Sequence, residues 1–250
     1  MSDEAAADLV KTVRWYHSFA LRPGLVTPGA SGFEGVSACS ALSIPADLSG
    51  KRCLDVGAWD GPLTFEMERR GAEVIALDIQ DPKRVGFDVA RCVLGSKAVH
   101  YQGSVYQLPF DKMSELDLIA FRGVYYHLKY PLLAFECLCA ALKVGGTLHF
   151  EGEGLLHYVE NLKGETVQIP VALLDELAAK GVPLCLSYPN SYKKSSNWFI
   201  PNAPCLESWL VAAGFEVGAI QAYSSGGAQR FLGWAKKTSD RSSLIEHPFY

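Results

Sequence analysis

The chain has 250 residues, about half of them apolar and a fifth charged, which suits one large α/β domain or one with a modest insertion. A net charge of −4 and a pI near 5.9 exclude a global positive field that would draw nucleic acid, leaving only a local basic groove open. Seven scattered cysteines without paired CxxC knuckles argue against a disulfide framework and a structural zinc site, and no metal-ligand cluster stands out; buried free thiols in a reducing cytosol are expected.

Residues 4–21 repeat apolar groups at helical spacing (Leu9, Val10, Val13, Tyr16, Ala20) after an acidic start, so a helix is expected there. Met1-Ser2-Asp3-Glu4 lacks the basic start and apolar core of a signal peptide. Residues 22–32 carry five Pro/Gly punctuators and break regular structure. Residues 1–50 therefore read as a helical arm and loop, either a lid over a pocket or a plain arm packed on a sheet.

From residue 51 strands and helices alternate. Strands are expected at 52–56, 73–78, 98–102, 116–121 and 146–151, with helices near 62–70, 85–94 and 132–142. This βαβ order predicts a Rossmann-like, doubly wound, mainly parallel sheet with helices on both faces. Residues 152–203 fit the alternation poorly and read as an insertion after the fifth strand, with a short helix over 171–179. A helix over 204–213 stops at Gly214. Strands at 215–223 and 229–236 then close a seven-stranded sheet as an antiparallel edge hairpin through Ser224-Ser225-Gly226-Gly227. The longest apolar block, 131–142, contains Glu136 and falls short of the roughly 20 residues that span a bilayer. A soluble, cytoplasmic protein is expected, with oligomeric state open.

Leu54-Asp55-Val56-Gly57-Ala58-Trp59-Asp60-Gly61 reads as a strand, a tight loop and a helix start, with Gly57 and Gly61 letting backbone approach a ligand. Val74 to Asp78 is a buried-strand run ending in a carboxylate 21 positions after Gly57, placed to accept both ribose hydroxyls of an adenosine. The loop lacks the full G-x-G-x-x-G pyrophosphate fingerprint, and Asp55 and Asp60 bring negative charge where a dinucleotide would bring phosphates. A cationic sulfonium tolerates those carboxylates, which favours an S-adenosyl cofactor. Base candidates are His127, after the fourth strand beside Tyr125, Tyr126 and Arg122, and His17, at the end of the first helix. Each also has an ordinary reading: His127 bonding the following loop, His17 half-exposed on a helix. Tyr188, Tyr192, Trp198 and Phe199 form either an acceptor pocket or core packing. Lys193-Lys194 contacts an anionic acceptor or is a solvated face.

Asp55-Val56-Gly57 with Gly61, Asp78, and Leu142-Lys143-Val144-Gly145-Gly146-Thr147-Leu148 resemble the successive motifs of class I S-adenosylmethionine-dependent methyltransferases, over residues 51–151. The resemblance implies cofactor contacts from Asp55, Gly57, Ala58, Trp59, Gly61, Asp78, Ile79, Ser104, Val105, Arg122 and Tyr126. Trp59 replaces the usual second loop glycine, and Ser104 the usual acidic residue at the adenine. A narrower similarity covers residues from about 50 to 237. Gly123-Val124-Tyr125-Tyr126-His127 with Pro131-Leu132, Asn197-Trp198-Phe199-Ile200-Pro201, Leu206-Glu207-Ser208-Trp209-Leu210 and Gly214-Phe215 are similar to the bacterial tRNA wobble-uridine carboxymethyltransferases. That family uses carboxy-S-adenosylmethionine and holds its extra carboxylate with a lysine, a tyrosine and an arginine. Tyr126 and Arg230 match the last two. No basic residue stands between Arg22 and Lys51 to match the lysine, although Arg14 or Lys129 is available as a substitute.

With that departure, the resemblance implies plain S-adenosylmethionine and methyl transfer to an oxygen, nitrogen or carbon of a small-molecule acceptor. Tyr126, His127 and His17 are then the catalytic candidates, and Tyr192, Trp198, Phe199 and Arg230 the acceptor contacts. Two alternatives stay open: carboxymethyl or methyl transfer to a tRNA wobble uridine, and a non-catalytic adenosyl-binding regulator.

Overall fold

The structure, a computed structural model, describes residues 1–192, 196–225 and 228–240, side chains excepted at 190–192, 225 and 228. The chain divides into two units, Met1–Ala120 and Phe121–Tyr250.

The first unit opens with α1 (Asp3–Val10), where the Ser2 hydroxyl accepts from the Ala5 amide at 3.2 Å. The helix stops at Val10 and does not run on to residue 21 as the apolar spacing predicts. Trp15 Nε1 donates to the Val10 carbonyl at 2.7 Å, and the buried Asp60 carboxylate accepts from the Tyr16 and His17 amides at 2.9 and 2.8 Å. Those amides, taken by a side chain, are lost to a helical ladder. The chain instead forms β1 (His17–Ser18), β2 (Ala20–Arg22), β3 (Leu25–Val26) and β4 (Ser31–Gly32), with β1 parallel to β4 and β2 antiparallel to β3. Ala6, Val10, Phe19 and Leu21 join Ala58, Phe65 and Phe87 in one buried cluster, so the arm packs on the core of this unit.

A helix without an expectation follows, α2 (Gly35–Ala41), its N-terminal amides at Val36 and Ser37 bonded to the Glu34 carboxylate. Then come β5 (Arg52–Val56), α3 (Pro62–Arg69), β6 (Glu73–Asp78), α4 (Phe87–Leu94) and β7 (Val99–Gln102), the alternation read from the sequence. β5, β6 and β7 pair in parallel, with Val56 opposite Leu77 and Asp78 opposite Gln102.

The chain continues with β8 (Leu116–Arg122), α5 (Pro131–Ala141) and β9 (Leu142–Glu153), a strand of 12 residues that starts earlier than expected. The segment read as irregular holds two antiparallel ribbons and the expected helix: β10 (Tyr158–Glu160) with β11 (Thr166–Gln168), α6 (Val171–Ala179), and β12 (Cys185–Tyr192) with β13 (Asn197–Pro201). It has its own small core of Leu155, Leu174, Tyr188 and Ile200. After α7 (Ala203–Ala212), β14 (Phe215–Ser225) and β15 (Ala228–Lys237) pair antiparallel, and β15 pairs antiparallel with β9. Gly226 and Gly227, in the expected hairpin joint, lie outside the described residues. The main sheet has seven strands in the order β14-β15-β9-β8-β5-β6-β7. Among the described residues no helix is long and apolar enough to cross a membrane.

Candidate functional site

Parallel pairing puts the C-terminal ends of β5, β6 and β7 on one edge of the first unit, where α/β sheets present ligand-binding loops. The Gly57 amide donates to the Leu77 carbonyl at 2.8 Å, and the Trp59 amide to Asp78 Oδ2 at 2.8 Å. Asp78 Oδ1 accepts from the Gln80 amide at 2.8 Å. Each Asp78 oxygen thus has one backbone donor and one remaining lone pair suited to a hydroxyl. Trp59 has φ +50°, a left-handed backbone at the position where the resemblance expects glycine. That conformation costs about 1–2 kcal/mol for a side-chain-bearing residue, offset here by the bond to Asp78 and a ring contact with Tyr16 at 5.4 Å.

Asp55 is buried and accepts from the Thr64 hydroxyl at 2.6 Å, tying β5 to the first turn of α3. Ile79, next to Asp78, is 69 % exposed, an apolar platform left open. The Gly103 amide donates to the Asp78 carbonyl at 2.8 Å, which brings Ser104 and the buried Val105 to the same edge. Ser104 Oγ accepts from the Tyr106 amide. Beside this edge is a cavity of about 550 Å³ lined by Arg14, Trp15, Tyr16, Trp59, Ile79, Gln80, Asp81, Arg84, Val85 and Gln102, a size typical of small-ligand sites.

Two expectations change in this unit. Asp60 offers no free oxygen to a ligand: it is fully buried, with Oδ2 taken by the Tyr16 and His17 amides and Oδ1 by His17 Nδ1. His17 stands on β1 and not on a helix. Its side chain is 12 % exposed and its ring meets Tyr16 and Phe33 edge-on.

The second unit gathers Arg122, Tyr126 and Arg230 around two carboxylates the sequence did not flag. In the β15–β9 register Arg230 lies opposite Glu153 and Leu232 opposite Glu151. The Arg230 guanidinium binds Glu151 through Nε and Nη2, reaches Glu153 Oε2 at 3.4 Å and donates to the Tyr126 hydroxyl at 3.3 Å. The Tyr223 hydroxyl donates to Glu151 at 2.8 Å, and Arg122 lies 3.7 Å from it. Burial opposes the charge on Arg230, but Glu151 more than reverses this and holds the guanidinium above its ordinary basicity. Burial raises Tyr126 despite Arg230, and burial with Glu151 pushes Tyr223 up to about 12.

His127 lies in a short turn, Tyr125–His127, with Nδ1 at 3.2 Å from the Ser196 carbonyl and 3.1 Å from its hydroxyl. Burial lowers its pKa below 6.5, which favours the neutral ring. Phe199 is half-buried and lies edge-on to Trp209, and Tyr188 is buried with its hydroxyl on the Glu160 carbonyl. Trp198 carries the Lys129 ammonium 5.5 Å from its ring. The Tyr192 side chain and Lys193-Lys194 lie outside the described residues.

A family model described as a methyltransferase domain matches residues 37–219. The chain belongs to that methyltransferase family. This family member is 31 % identical over 180 residues to the tRNA U34 carboxymethyltransferase of Pseudomonas paraeruginosa, covering 70 % of this chain and 48 % of that one. To the enzyme of the same name from Actinobacillus pleuropneumoniae it is 29 % identical over 217 residues, covering 80 % and 59 %. The chain thus spans about half the length of the curated relatives it matches. Among solved structures, the N-terminal domain of EvdMO1 with SAH and D-fucose shares its fold at a TM-score of 0.62 and 17 % identity, over 95 % of this chain and 98 % of that one. The 1,6-didemethyltoxoflavin-N1-methyltransferase of Burkholderia thailandensis does so at 0.56 and 16 %, over 82 % and 80 %.

Glu151, Glu153, Tyr223 and the link from Asp60 to His17 are the features of this family member that sequence reasoning missed. Only the first two left a signal: two acids at period 2 on one face of a strand.

Proposed function

We propose that the protein transfers a methyl group from S-adenosylmethionine to a small-molecule acceptor. The observation that carries this reading is Asp78, held by two backbone amides at the end of β6 with lone pairs to spare, beside exposed Ile79 and the cavity. Those residues fit an adenosyl group: the carboxylate accepts ribose hydroxyls, exposed Ile79 offers apolar surface to the base, and the Gly57–Gly61 backbone approaches the amino-acid tail. The bound donor supplies a methyl group on a cationic sulfonium. The chain supplies position and a shaped electrostatic environment, from which much of the rate of an in-line displacement can come. Two structural neighbours hold S-adenosylhomocysteine, which supports this choice of donor. Seven free thiols fit a cytoplasmic setting.

A plain methyl donor is favoured over a carboxylated one by the state of Arg230. The resemblance assigns that arginine to the donor's extra carboxylate, yet here it is paired with Glu151 and Glu153. A third carboxylate would meet two like charges. The second reading, carboxymethyl transfer to tRNA, is favoured by the names of the curated relatives. Incubating a cell extract with the protein and labelled donor separates the readings, since the label enters a small metabolite, tRNA or, for a non-catalytic regulator, nothing. Calorimetry tests the donor itself. SAH is expected to bind, with affinity about 10–100-fold weaker in Asp78→Asn, and a wild type that gives no binding heat sinks the reading.

A further inference from the structure

We propose that His17 and Asp60 form a base dyad, in which His17 takes the proton of a hydroxyl-bearing acceptor and Asp60 positions the imidazole. The proposal rests on the donor reading above. Asp60 splits its two oxygens between two tasks: Oδ2 accepts from the Tyr16 and His17 amides, and Oδ1 faces His17 Nδ1. An ionised carboxylate only accepts, so Nδ1 must carry the hydrogen. A neutral ring in that tautomer presents its lone pair at Nε2, which has no hydrogen-bond partner among the described residues. Edge-on contacts with Tyr16 and Phe33, at 4.7 and 5.4 Å, fix the plane of the ring, and 12 % of the side chain stays open.

This is the arrangement of a base oriented by a third group. His127 lacks it, because its Nδ1 faces the Ser196 carbonyl and hydroxyl and no carboxylate. Asp60 belongs to the loop between Gly57 and Gly61 that the donor reading assigns to the cofactor, and the neighbours Tyr16 and Trp59 line the cavity, so on that reading the dyad stands beside the donor. A base is needed where the acceptor must lose a proton, and a hydroxyl is such an acceptor. In the step, the acceptor oxygen attacks the methyl carbon and the carbon–sulfur bond breaks with its electron pair on sulfur. The O–H proton passes to His17 Nε2. The imidazolium so formed faces the Asp60 carboxylate until it loses the proton to water, leaving a methyl ether and a neutral thioether.

Asp60→Asn tests the dyad in a way that a structural role would not. The Tyr16 and His17 amides need an acceptor, which keeps the carboxamide oxygen at the Oδ2 place and puts the NH₂ against His17 Nδ1. Nδ1 must then accept, and the ring proton moves to Nε2. Nitrogen-15 NMR of the SAH-bound protein is expected to show His17 protonated on Nδ1 in the wild type and on Nε2 in Asp60→Asn. SAH affinity should stay within about threefold, while methyl transfer from labelled S-adenosylmethionine to a small-molecule extract falls about 10²–10⁴-fold. A wild-type His17 protonated on Nε2, or Asp60→Asn transfer within tenfold of wild type, overturns the dyad. Should Asp60→Asn lose SAH binding, His17→Gln carries the same rate test, since it leaves the carboxylate and its two amide bonds in place. A wild type that binds no SAH sinks the donor reading instead, and the wild-type tautomer still judges the dyad.

Discussion

Gly61 meets two demands that no side-chain-bearing residue could meet together. Its φ is +86°, and a Cβ there would lie 2.7 Å from the rings of both Phe65 and Phe87. Gly61→Ala therefore combines left-handed strain with overpacking and should cost about 2–4 kcal/mol, read as a shift in urea midpoint at constant slope. A loss under about 1 kcal/mol would mean that the rings move aside at little cost. Gly57, Gly61 and Asp78 were legible in the sequence because strand, loop and helix fix their spacing locally. The Asp60–His17 contact spans 43 positions and leaves no local trace. Trp59 was legible as a departure, but its left-handed backbone was not, because it depends on the Asp78 carboxylate.

At the scale of elements, β5, β6 and β7 were readable because buried parallel strands are short apolar runs bounded by turns. β1 to β4 were not. Each has two or three residues, too few for a period, and they are held by Asp60 and by buried Thr27, whose hydroxyl donates to the His17 carbonyl and accepts from the Phe19 amide. The pairing of β9 with β15 carries its own liability. Arg230, with a side chain only 18 % exposed, faces Glu151 and Glu153, which are more buried still. Arg230→Met should cost about 3–5 kcal/mol in urea unfolding because it removes the buried guanidinium that Glu151 and Glu153 share. Adding Glu151→Leu and Glu153→Leu should recover much of that loss. A triple variant no better than the single one would show that the cost lies in packing and not in charge.

The whole molecule should be bounded in pH on both sides. Burial lowers the pKa of His100 and His127, so the unfolded chain binds their protons first and stability falls as pH drops below about 6.5. Glu66, held low by Arg69 and Arg70, adds a further loss below about 4.5. Tyr126 and Tyr223 are raised, so their share of stability is complete below about 10 and is lost as pH climbs, for Tyr223 through about 12. Burial also raises the Cys39 and Cys53 thiols from 9 to about 12, so urea unfolding across pH should show a plateau between about 6.5 and 9. His100 is the sharpest probe of the acid side, since both ring nitrogens are buried without partners among the described residues and the ring sits edge-on to Phe87. His100→Phe should be more stable by about 1–3 kcal/mol at neutral pH, with a gap that widens below about 6.5. A constant gap across pH would assign the gain to packing alone.

Trp59 has a use unrelated to catalysis. Its indole is 38 % exposed, lies against the Tyr16 ring, and hangs from an amide bonded to the carboxylate proposed to hold the ribose. A ligand settling on Asp78 alters the surroundings of that fluorophore, so tryptophan emission reports donor occupancy without a label, and Trp59→Phe supplies the blank among the five tryptophans.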